Sequence, residues 1–231
     1  MTEKTEQELE ANYNRFIEIL KKYFTGERLE KLLFMYSPDE LGLNLTVSPA
    51  SGNKGFHNAY DGGYIDHIFN VCKNALKVKE LFIQLGGKPD FTDEELIFCA
   101  LHHDLGKLGT KGKPFYIPNP SEWHIKNQGK VFTSNDELDF MTHTDRTMFT
   151  LQHYGIQFTQ KEMLGIMLAD GLYNKANEKY FISYDENFQL KTELPYLLHW
   201  ADHMSCRIEN SEYIKYIIGE HTFTRQQNTC G

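Results

Sequence analysis

Apolar residues recur in steps of three and four along most of the chain, the spacing of helices that bury one face. Leu9, Tyr13, Phe16, Ile17, Leu20 and Phe24 predict a helix over 5–24, ended by Gly26. A second is predicted over 27–36, stopping before Ser37-Pro38. Residues 37–63 mix Gly, Asn, Ser and Pro with weak periodicity and read as a long loop, a kind of segment that often carries function. A helix over 64–84 is closed by Gly86-Gly87. The run Thr92 to Glu95 has the form of a capping box and opens a helix through about residue 104. Residues 105–140, rich in Gly, Pro and Asn, read as mostly irregular. Helices over 143–154 and 159–170 follow, then a short hairpin around Asp185-Glu186-Asn187. Thr192 begins a helix with Pro195 in its first turn that runs to about 209, and a last helix covers 211–219. The expectation is an all-α bundle with at most a short β-hairpin.

The 231 residues predict one compact unit: N-terminal helices and a loop over 1–60 packed on a larger domain over 61–231. The net charge of −8 argues against a general nucleic-acid binder, which needs a broad basic face, so duplex nucleic acid is not an expected partner. No apolar run approaches the roughly 18 residues of a membrane span, and the charged N-terminus has no apolar leader core. Cys72, Cys99, Cys206 and Cys230 show no CxxC spacing, so neither a disulfide framework nor a thiolate zinc site is signalled. Reduced thiols in a cytoplasmic protein are expected. Nothing in the sequence fixes the oligomeric state.

The strongest local feature is ALHHDLGK over 100–107. Counting back from His103 and Asp104 along the helix meets Cys99, Ala100, Leu96 and Ile97, so both side chains point inward. A buried carboxylate beside an imidazole costs several kcal/mol unless something compensates it. A divalent cation compensates both. His67 also lies on a largely apolar stripe, with Val71, Asn74 and Val78, and Asp202 on another, with Leu198 and Cys206. Three separate helices thus turn polar ligands inward. His199 and His203 share the i,i+4 spacing of a zinc pair, but the glutamate of HExxH is absent, and they read as flanking Asp202.

With these residues in view, the sequence resembles the HD-domain superfamily of metal-dependent phosphohydrolases, whose pattern is H…HD…D. Here that pattern falls on His67, His103-Asp104 and Asp202, within GGYIDH, ALHHDLGK and HWADHMSCRIE. The resemblance implies an HD-type helical bundle, one or two divalent metals (Mn, Mg, Co, Ni, Fe or Zn) and hydrolysis of a phosphoester in a nucleotide or similar small phosphorylated substrate. Members with two metals carry further histidines, and His143 falls where the first would lie. The later position reads Ala169-Asp170, so a histidine is missing there. This favours one firmly held metal, with His143 and Asp170 as second-site or substrate-contacting groups.

The expected chemistry is attack by a metal-activated water, with Asp104 on the metal and cations around the phosphate. Residues 105–130 carry five lysines against one glutamate, inside an acidic protein. Lys107, Lys111, Lys113 and Lys130, with His124, are the candidate phosphate contacts. Arg146, one turn past His143, is a candidate bidentate contact. Three alternatives compete: an HD-type nuclease on short single strands, an HD-type di-iron oxygenase, and a non-catalytic nucleotide-binding module.

Overall fold

A computed structural model describes residues 4–227, with side chains through Ser211. Its order is α1 (Glu6–Tyr23), α2 (Gly26–Met35), α3 (Leu43–Val47), α4 (Gly63–Gln84), α5 (Asp93–His102), β1 (Tyr116–Pro118), α6 (Glu122–Gln128), β2 (Phe132–Ser134), α7 (His143–His153), α8 (Gln160–Met167), α9 (Glu178–Phe181) and α10 (Leu194–Gln227). The fold is all-α with one two-stranded antiparallel hairpin, in which Tyr116 pairs with Ser134 and Pro118 with Phe132.

The long helices form where the apolar stripes lie. On α4, Ile65, Ile68, Phe69, Val71, Cys72, Ala75 and Val78 are buried. This face packs against α10 and α5, and α8 fills the remaining side against both. Buried side chains of this size each contribute about 1.5–3 kcal/mol of hydrophobic free energy. At the back, Phe16, Leu20 and Phe24 of α1 join the same core, with Phe16 edge-on to Tyr36 at 4.7 Å. Asp66 ties α1 to α4: its carboxylate accepts from Lys4 Nζ at 2.9 Å, Asn12 Nδ2 at 3.0 Å and Tyr60 at 2.8 Å. Thr92 and Glu95 form the expected capping box at the start of α5. Another closes on Thr159 and Glu162 at α8.

Four expectations need correction. The loop over 37–63 contains a kinked turn at Pro38–Gly42, where Glu40 leaves the helical dihedrals, and the short α3, because Leu41 and Leu45 reach the core. The hairpin lies at 116–134 and not around Asp185; Ile182, Tyr184 and Phe188 are exposed, so no buried face favours a strand there. Within 105–140, that hairpin encloses α6, which the Gly and Pro content hides. The helices expected over 192–209 and 211–219 are one, α10, since Asn210 and Ser211 do not interrupt its backbone. Cys230 lies outside the described residues. Among the described residues, no helix is long and apolar enough to cross a membrane.

Candidate metal centre

Gly62 adopts φ +77°, a left-handed turn that starts α4 sharply and sets His67 in its second turn. The His67 side chain is fully buried. Its Nδ1 faces the buried carboxylate of Glu209 on α10, 3.0 Å from Oε2, and Asn70 Nδ2 donates to the same carboxylate at 2.8 Å. An N–H donated from Nδ1 leaves Nε2 as a lone-pair donor, the arrangement of a histidine buttressed for metal binding. His103 is oriented the same way, with Nδ1 3.0 Å from the Ala100 carbonyl. Asp104 leaves the helix at φ −109°, ψ 10°, so α5 stops short of the expected residue 104, and its carboxylate swings toward the two imidazoles.

Of the four predicted ligands, His67, His103 and Asp202 come together as one donor group, and Asp104 borders it. His67 Nε2 lies 3.1 Å from Asp202 Oδ1 and 3.8 Å from Asp104 Oδ2. His103 Nε2 lies 3.5 Å from Asp202 Oδ1 and 3.6 Å from Asp104 Oδ2. Neither Nε2 has a hydrogen bond of acceptable geometry, although both are buried. Donors about 2.1 Å from one cation, at angles between octahedral and tetrahedral, stand about 3.0–3.4 Å apart. The observed separations are close to those edges.

Charge gives a second fit. Asp104, Asp202 and Glu209 bring three carboxylates, and Lys107, 2.6 Å from Asp104 Oδ2, brings one ammonium. With neutral histidines, the cluster is short of two positive charges. Protons fill part of that deficit in the metal-free chain. Burial opposes the charged form of His67, but Asp202 and Glu209 outweigh it and lift its pKa to about 10. Burial would raise the Asp202 carboxyl, yet His103 and His67 hold it well below its ordinary value. Asp104 is held low against burial by Lys107, His103 and His67. The donor set therefore suits a divalent cation with mixed nitrogen and oxygen affinity.

His103, Asp104 and Asp202 line a cleft of about 540 Å³, with His67 buried behind them, and the cleft also takes in Lys107, His143, Asp170, Tyr116 and Tyr173. His143 opens α7, and its Nδ1 is buried without a partner. Burial and the charge of Lys107 lower its pKa, which keeps the ring neutral. Desolvation and the charge of Asp104 raise that of Asp170. Gly106 permits this assembly, since a Cβ there would stand 2.1 Å from the His143 carbonyl oxygen.

The remaining candidates do not reach the cleft wall. Lys111 pairs with Glu40 at 2.7 Å and Lys113 with Glu137 at 3.1 Å. Lys130 sits in a backbone bridge with Asn53. His124 turns its Nδ1 to Ser121 Oγ at 2.7 Å on α6. Arg146 is buried away from the cleft and donates to the Asp139 carbonyl at 2.7 Å, bracing the loop before α7. The lysine-rich sequence thus spreads over the surface, and only Lys107 is turned inward.

Sequence reasoning missed Glu209, Arg207, His57 and Cys206. Cys206 and Glu209 follow Asp202 at +4 and +7, one helical face, so that spacing was the available signal. Arg207 lines the cleft from α10 with an exposed side chain. His57 comes from the loop before α4 and had no periodicity to mark it; burial pushes its pKa down to about 4. No family model, curated protein or solved structure matches this chain.

Proposed function

We propose that this chain is a metal-dependent phosphohydrolase that cleaves a phosphoester bond in a nucleotide or similar small phosphorylated substrate. The observation that carries this reading is the convergence of His67 from α4, His103 and Asp104 from the end of α5, and Asp202 from α10 at the base of a cleft that all but His67 line. These are the positions of the H…HD…D pattern, and both buried Nε2 atoms lack partners. The resemblance to HD-domain phosphohydrolases and the geometry thus support the same assignment.

A divalent cation held by these four groups would polarise a phosphoryl oxygen and supply hydroxide near neutral pH. The chain's own groups do the rest. Lys107 Nζ, on the cleft wall, neutralises Asp104 and offers its remaining N–H donors to a phosphate oxygen. Arg207 adds a second cation at the mouth, with the planar donor fork suited to phosphate. The neutral His143, with an unused Nδ1, can pass a proton between water and the departing oxygen. Glu209 holds His67 in the tautomer that presents Nε2.

The test is elemental analysis of the purified protein. A phosphate-release screen follows over nucleotides, cyclic nucleotides and short oligonucleotides with Mn²⁺, Co²⁺, Mg²⁺ and Ni²⁺. Asp104→Asn should lose both metal and turnover. Lys107→Ala should lower turnover and keep the metal. Undiminished hydrolysis in Asp104→Asn would overturn the assignment.

A further inference from the structure

His57 and Cys206 border the centre, and the chemistry above uses neither. Cys206 lies one turn beyond Asp202 on α10, and its thiol is 3.5 Å from Asp202 Oδ1 and 3.7 Å from His57 Nε2. The His57 ring packs on that of His67 with centroids 4.7 Å apart. One donor atom each from His57, His67 and Cys206 fits within 4.8 Å. His67 Nε2 itself lies 3.1 Å from Asp202 Oδ1 and faces the first cation position, so Asp202 takes its place as the third donor here. Sulfur at about 2.3 Å and nitrogen or oxygen at about 2.05 Å from a tetrahedral cation are about 3.5 Å apart. Both contacts of the thiol fall close to that edge length.

We propose that His57 Nε2, Cys206 Sγ and Asp202 Oδ1 form a second cation position next to the first, with Asp202 shared between them. Its thiol selects thiophilic divalent ions such as Zn²⁺, Co²⁺ or Cd²⁺ over Mg²⁺ and Mn²⁺, because sulfur is a soft ligand. Binding forms a sulfur–metal bond and releases the thiol proton to solvent. The inference rests on the phosphohydrolase reading only through Asp202. It makes the centre dinuclear without calling on the missing histidine at Ala169.

The test uses the full chain, stripped with a chelator and titrated with Co²⁺ and with Cd²⁺ while absorption is followed. Two equivalents should bind, and one of them should bring a near-ultraviolet sulfur-to-metal charge-transfer band. Cys206→Ser should lose that band and that equivalent. His57→Gln, a loop substitution, should weaken the same equivalent roughly tenfold or more. His103→Ala should weaken the other equivalent and keep the band. Circular dichroism confirms that each variant is folded. A band that survives in Cys206→Ser overturns the proposal. A single equivalent without a band, together with metal-dependent hydrolysis, also overturns it and leaves the phosphohydrolase reading in place. A wild-type chain that binds no cation removes both.

Discussion

Gly106 sits where the turn that carries Asp104 meets α7, and replacing it by alanine puts a defined strain on the centre. The added Cβ would stand 2.1 Å from the His143 carbonyl oxygen and 3.0 Å from its Cα. An unstrained contact needs about 3.5 Å, so the turn and α7 must part by more than about 1 Å. Overpacking of this kind costs about 1–3 kcal/mol. The separation also stretches the 2.8 Å bond from the Gly106 amide to Thr147 Oγ1, about 0.5–1.5 kcal/mol more. Together, Gly106→Ala should lose roughly 1.5–4.5 kcal/mol, read as a lower midpoint in urea unfolding. Because Lys107 follows the turn and His143 opens α7, a 1 Å shift moves both cleft groups and should lower turnover about 100-fold. Metal affinity should change less, since Gly106 supplies no ligand. An unchanged midpoint and rate would refute the claim that this contact positions the cleft.

Glu209→Ala should weaken metal binding about 10–100-fold in chelator competition, because His67 Nδ1 loses its acceptor; Glu209→Gln should fall between the two. The metal-free chain should be sensitive to alkali. The pKa of His67 is raised from 6.5 to about 10, so its charged form contributes stability that is complete below pH 6.5 and is lost as pH rises through about 10. Over the same window cation affinity should climb and a proton should be released on binding; calorimetry in two buffers that shows no released proton would contradict this. Arg28→Ala should cost about 3 kcal/mol in denaturant unfolding, since the wholly buried Glu162 carboxylate loses the guanidinium 2.7 Å away and keeps only the Thr159 N–H of its capping box.

Much of the helical layout is legible in the sequence because its stripes and caps are local. The bounds of α1, α2 and α4 follow their periodic apolar residues closely, and α5 begins at its capping box. The four candidate ligands are legible for a related reason: each is a polar residue set among apolar neighbours. What fails is whatever depends on distant partners. The β1–β2 hairpin pairs short segments fourteen or more residues apart, with nothing in either to announce the other. The lysines over 105–130 look like a funnel on paper, but their side chains find Glu40, Glu137 and Glu122 instead of the cleft. Arg146 looks like a phosphate contact at one turn from His143, yet the helix turns it inward to Asp139. Glu209 and Cys206 share the face of Asp202 within the helix the sequence predicts, but their roles depend on His67 and His57, which come from distant segments.

Two neighbouring residues of α4 answer to different masters. Asp66 is the mooring for Lys4 and Asn12, while His67 is turned to the centre. A cation that stiffens this turn of α4 also stiffens the anchorage of α1, so occupancy and fraying of the first helix are thermodynamically linked. Amide exchange along α1 should slow when the cation is added, and a chain that begins after α1 should release it more readily. In this way the opening residues, which carry no chemistry of their own, would take part in how firmly an ion is kept.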